Sequence, residues 1–182
     1  MGLLDKVFGL AGGPSAELAE DPSIRALVKA YIEERGADRY RIEVKETPSG
    51  AALLALPAER LAGVLHSTLL ADYRAGGRKQ DWSTQLRYEK LVSDLCRRSL
   101  TMTVEEARAI LEVCAGILSR ERFVRYKSVH KAVARAVQAA GQLHAIRASL
   151  EKLRDALRGT GWDGGADGRK ALKELEGLID EA

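Results

Sequence analysis

Residues 88–118 read YEKLVSDLCRRSLTMTVEEARAILEVCAGIL, and the spacing of apolar residues here decides the fold class. Tyr88, Leu91, Val92, Leu95 and Cys96 step by 3, 1, 3 and 1, which draws one stripe along a helix beginning near Ser83. Ser99 interrupts that face and Leu100 resumes it. After a short connection comes Thr103, with Glu106 three residues on. That is the spacing of a capping box, in which hydroxyl and carboxylate each satisfy an orphan amide. Ala107, Ile110, Leu111, Cys114, Ile117 and Leu118 then form a second stripe. Two amphipathic helices on so short a link are expected to pack as an antiparallel hairpin.

Toward the C-terminus, Val129, Ala132, Ala136, Ala139, Leu143, Ile146, Leu150, Leu153 and Leu157 alternate steps of 3 and 4. This is a heptad seam. An unbroken helix over Ser128–Arg158 would be about 46 Å long, and Gly141 is the place for a kink or break. The seam offers a homodimer through residues 129–157, against an intramolecular packing of the same stripe. Gly159–Gly168 is glycine-rich and contains Trp162; residues 169–181 carry Leu172, Leu175, Leu178 and Ile179 on a last helix.

Toward the N-terminus, Pro57 opens a helix whose core face is Leu61, Val64, Leu65, Leu69 and Tyr73, closed by Gly76-Gly77. Asp21-Pro22 opens another, with Ile24, Leu27, Val28, Tyr31 and Ile32 at helical spacing. Between them, apolar and charged residues alternate strictly from Arg39 to Lys45, and Pro48-Ser49-Gly50 reads as a turn before Ala51–Leu56. A small β-hairpin over residues 40–56 is expected, packed on helices. Residues 3–10 form an N-terminal arm or short amphipathic helix. The sequence therefore predicts a mainly α chain of six to eight helices, a bundle or short α-α superhelical array with one hairpin. Its divisions are an arm at 1–15, a helical domain at 16–158, and a glycine-rich loop with a C-terminal helix packed on it at 159–182.

Composition agrees. The 182 residues are 46% hydrophobic but only 5% aromatic, and Ala and Leu favour helix over strand. No apolar run is long enough to cross a bilayer, and residues 1–10 lack the basic start and cleavage site of a secretory signal. Cys96 and Cys114 each fall on an apolar stripe, as buried thiols rather than a disulfide framework. These features point to the cytoplasm.

The net charge of +3 is unevenly spread. Arg74–Arg135 holds 14 Lys and Arg against 7 Asp and Glu, a balance of +7. Residues 1–73 (8 against 11) balance at −3 and residues 136–182 (7 against 8) at −1. Basic groups neutralise phosphates or carboxylates, and aromatic faces stack on bases. The candidate contact residues for a partner protein or a phosphate backbone are Arg97, Arg98, Arg120, Arg122, Arg125, Lys127 and Lys131, with Phe123 and Tyr126 interleaved.

No nucleophile elbow, phosphate loop or dinucleotide fingerprint is present, and His66, His130 and His144 fit no metal pattern. The acidic pair Glu33-Glu34 reads as solvated surface. Asp163, Asp167 and Glu174 match positions 1, 5 and 12 of a calcium loop, but Gly165 and Ala171 leave positions 3 and 9 empty. The expected reading is a loop, with Asp167 capping the last helix, and no metal or cofactor.

Residues 83–118, with Thr103-Val104-Glu105-Glu106 opening the second helix, resemble one helical pair of a HEAT or armadillo α-solenoid. That resemblance implies stacked helix pairs and a concave surface for a protein partner. The function expected is a non-enzymatic protein–protein interaction module, a helical scaffold or adaptor. A nucleic-acid-binding module using segment 97–131 is the alternative, and an enzyme with a site not visible in sequence is the third.

Overall fold

The computed structural model describes residues 18–34, 43–76, 81–120, 125–159 and 165–182. Among these it forms eight α-helices: α1 (Pro22–Glu33), α2 (Pro48–Leu54), α3 (Ala58–Ala75), α4 (Trp82–Cys96), α5 (Val104–Arg120), α6 (Val129–Ala139), α7 (Arg147–Gly159) and α8 (Ala166–Glu181). Short 3-10 turns lie at Val44–Glu46 and Leu143–Ile146. The arm at 1–15 lies outside the described residues.

Side chains cap several helix starts, but Asp167 does not cap α8: it lies inside that helix, whose N-cap Gly165 makes no side-chain bond. Asp21 accepts from the Ser23 and Ile24 amides at 2.8 and 3.4 Å. Asp81 does the same for Thr84 at 3.0 Å. Thr103 and Glu106 form the reciprocal capping box, at 2.8 and 3.2 Å.

The helix α3 is the centre of the bundle. Nine of its residues are buried, including His66, Ser67, Thr68 and Asp72 as well as its leucines, so its burial extends beyond one stripe. The helices α1, α2, α4 and α5 pack around it, α5 also packs on α6 and α7, and α8 covers α7.

The two clearest stripes do not meet as a hairpin. Both are buried, but α4 lies on α3 and α6, while α5 lies on α3, α6 and α7. Chain order made α4 and α5 neighbours, yet α3 offers each of them a more extensive buried face. The solenoid-like pair is therefore not a packed unit.

No strand occurs among the described residues, and the hairpin is replaced by helix. Residues 40–42 lie outside the described residues; Val44–Glu46 is a 3-10 turn and Pro48–Leu54 is α2. The physical reason is capping. Thr47 Oγ1 accepts from the Gly50 amide at 3.1 Å, and Pro48 takes the first helical position. Glu34 receives the Ser49 amide at 3.1 Å, so it anchors α2 instead of being only solvated. Thr-Pro-Ser-Gly is thus a helix start, and Ala51–Leu54 are helix formers.

The heptad seam breaks at Gly141, so there is no 31-residue helix. Gly141 has φ +69°, the Gln142 amide donates to the Val137 carbonyl at 3.0 Å, and the Gly141 amide to Gln138 at 2.9 Å. This is a Schellman termination. Val129, Ala132, Leu143, Ile146, Leu150, Leu153 and Leu157 are buried in the chain's own core, whereas Ala136 is half-buried and Ala139 exposed.

Two glycines give opposite expectations for the same substitution. A Cβ on Gly50 would run into the Val44 carbonyl and Thr47 Oγ1, whereas one on Gly177 meets nothing within 4 Å. Gly50→Ala is expected to destabilise by about 1–3 kcal/mol. Gly177→Ala is expected to stabilise by about 0.5–1 kcal/mol, the ordinary helix preference. Urea unfolding midpoints of the two variants check both signs.

Candidate functional site

Helix C-termini carry unpaired carbonyls, and four arginines from later in the chain reach back to them. Arg87 donates to Tyr31 O at 2.8 Å and to Ile32 O at 3.3 Å, closing α1. Arg98 donates to Leu54 O at 2.9 Å, closing α2. Arg120 donates to Tyr73 O at 3.3 Å near the end of α3, and its guanidinium lies 3.7 Å over the Tyr73 ring. Arg135 donates to Cys96 O at 3.0 Å, closing α4. Much of the basic middle of the chain is thus engaged within the fold, where a cation also favours the negative helix end.

Arg125 lies inside the molecule. Its side chain is 1% exposed and sits 2.9 Å from Asp72 Oδ2, itself 1% exposed, with Glu89 Oε1 at 3.2 Å. Tyr126 donates to the same Asp72 oxygen at 2.7 Å. Tyr126 has φ +57°, a left-handed conformation that a non-glycine residue adopts at a cost of about 1–2 kcal/mol. That conformation accompanies the contacts of adjacent Arg125 and Tyr126 with one buried carboxylate. Burial pushes the Tyr126 hydroxyl far above its usual range, so it stays a donor.

An open groove of about 730 Å³ lies between α4, α6 and α8. Helix α4 contributes Ser93, Cys96 and Arg97; α6 contributes Lys131, Ala134, Arg135 and Gln138. Helix α8 contributes Lys173, Glu174, Gly177, Leu178 and Glu181. Each set follows helical spacing, so three helices each turn one stripe toward the same space. A second depression of about 410 Å³ shares Ser93 and Ser128 with it and ends on Glu89, Arg125 and Lys127.

Of the seven sequence candidates, Arg97 and Lys131 line the main groove and Lys127 the second depression. Arg98, Arg120 and Arg125 bind carbonyls or carboxylates of the chain itself. Arg122 lies outside the described residues. Sequence reading passed over Arg135 and Lys173. The signal for Arg135 was available: it follows Lys131 by four residues, off the apolar seam.

The calcium-loop positions separate. Asp163 lies outside the described residues, Asp167 pairs with Lys127, and Glu174 pairs with Lys131 at 2.6 Å. Among the described residues no three His, Cys, Asp or Glu groups gather as a metal site. Burial raises both thiols, that of Cys96 to about 12. His66 and His130 are buried, and that burial lowers both imidazoles below their ordinary 6.5. Glu174 Oε2 lies 3.4 Å from His130 Nε2. Burial works upward on Glu174, but Lys131 and His130 outweigh it and hold the carboxyl below its ordinary range.

Comparison with protein-family models, curated proteins and solved structures finds no match for this chain.

Two outcomes follow. Arg125→Met removes the cation that neutralises the buried Asp72 carboxylate and is expected to cost about 3–5 kcal/mol. Adding Asp72→Leu should restore part of that loss; equal destabilisation of single and double variants in urea would contradict it. Neutral His66 and His130 favour the folded state, because the unfolded chain binds protons more readily near pH 6.5. Their stabilisation is complete above pH 6.5 and is lost as pH falls through the lowered folded values. The melting temperature should therefore drop between pH 7.5 and 5, less steeply in His66→Gln/His130→Gln.

Proposed function

We propose that the chain is a non-enzymatic protein-interaction module that docks a partner in the α4–α6–α8 groove. The observation that carries this reading is the groove's construction. Four cations, Arg97, Lys131, Arg135 and Lys173, share the groove with the half-buried Leu178 and the exposed Gly177. Apolar surface beside charged side chains is the anatomy of a protein-binding surface. Exposed charge pairs contribute only about 0.2–1 kcal/mol each. The cations on that reading set partner choice and encounter rate.

Two contacts tie the walls of the groove to one another. Arg135 ties α6 to the end of α4, and Lys131 ties α6 to Glu174 of α8. A preformed groove avoids part of the ordering cost of association.

Site-specific photocrosslinking tests the reading. A benzophenone side chain at Gln138, in the groove, should yield a discrete crosslinked protein in lysate of the source cells. The same group at the exposed His144 should not. Equal products at both positions, or none at either, would overturn the proposal.

A further inference from the structure

We infer that the occupant of the groove is an acidic amphipathic α-helix of the partner protein, a conclusion that rests on the interaction-module reading. Three features of the groove lead to it. The first is shape. On α6, Lys131, Ala134, Arg135 and Gln138 occupy i, i+3, i+4 and i+7, a face about 10 Å long at 1.5 Å per residue. The flanking stripes of α4 and α8 follow the same period. Such a slot takes about two turns of a further helix, read through side chains spaced i, i+3 and i+4. Gly177 adds to this: it exposes bare helix backbone on the α8 wall, and a Cβ there would meet nothing. A partner helix can therefore approach closely at that point.

The second feature is charge. Four cations stand against two carboxylates, Glu174 and Glu181. Of the cations, Arg97, Lys131 and Arg135 come from α4 and α6, while both carboxylates come from α8. The field is graded across the groove, positive on one side and mixed on the other. An occupant that turns its carboxylates toward Arg97, Lys131 and Arg135 and an apolar side chain toward the half-buried Leu178 satisfies both halves.

The third feature separates a protein helix from a nucleic-acid strand. None of the residues lining the groove is aromatic, so the groove offers no stacking platform for bases. Tyr126, the aromatic candidate among the described residues, is occupied with Asp72. Two carboxylates on α8 would also repel a phosphate backbone.

Peptide display on the full chain tests the inference. A random library is panned on the wild type, and clones that still bind Gly177→Trp are discarded. That variant fills the groove from an open position, and a thermal melt confirms that it folds. Expected winners carry net negative charge with apolar residues at i, i+3 or i+4. Synthetic versions, followed by fluorescence anisotropy, should bind Gly177→Trp and Lys173→Glu at least tenfold more weakly. Basic or neutral winners, no winners that discriminate the two proteins, or tighter groove-dependent binding of a single-stranded 20-mer would overturn it. A partner that crosslinks at Gln138 through a segment that is not acidic would remove this inference and leave the interaction module standing.

Discussion

The unsatisfied carbonyls at helix ends organise this molecule. A helical bundle has many such ends, and each leaves carbonyls without a partner inside its own helix. Here Arg87, Arg98, Arg120 and Arg135 reach back to close α1, α2, α3 and α4 in turn. Three of these bonds cross from one helix to another and the Arg98 bond runs from the turn after α4 to α2, so the same contact that satisfies a carbonyl also links two parts of the fold. Tyr31 returns the favour to α4 by donating to Arg87 O at 3.1 Å. The basic middle of the chain is largely the donor side of this pattern.

The buried charge of Arg125 is the second fixed point. It joins Asp72 of α3 and Glu89 of α4 to the segment that leads into α6. A buried ion pair adds little net stability over an apolar replacement, yet leaving one member unpaired is costly. Such a pair defines where α6 begins relative to α3 and α4. The groove depends on that placement, because its walls are α4 and α6 on one side and α8 on the other. Arg135 serves both purposes, closing α4 and lining the groove beside Arg97, Lys131 and Lys173.

Much of this was legible along the chain. The stripes of α3, α4 and α5 are buried as their periodicity indicates, and the capping box at Thr103 forms as written. Gly141 ends α6 because only a left-handed residue closes the turn there. The hairpin was misread for an equally local reason. Thr47-Pro48-Ser49-Gly50 serves as a turn or as a helix start, and the choice falls to Glu34, fifteen residues away, which binds the Ser49 amide. The site was less legible still, since a cluster of arginines in sequence looks the same whether its members face solvent or carbonyls.

The sequence by itself determined helix content, the apolar faces and most helix starts, because those follow from period, propensity and capping within a few residues. Only the tertiary structure decided which helices meet. It placed α3 between the two most regular stripes and put Arg125 in the interior. It also brought Lys173 of α8 beside Arg97 of α4, 76 positions apart in the numbering. Charge and shape at a groove are properties of neighbours in space, and a linear pattern carries no record of which distant residues become neighbours.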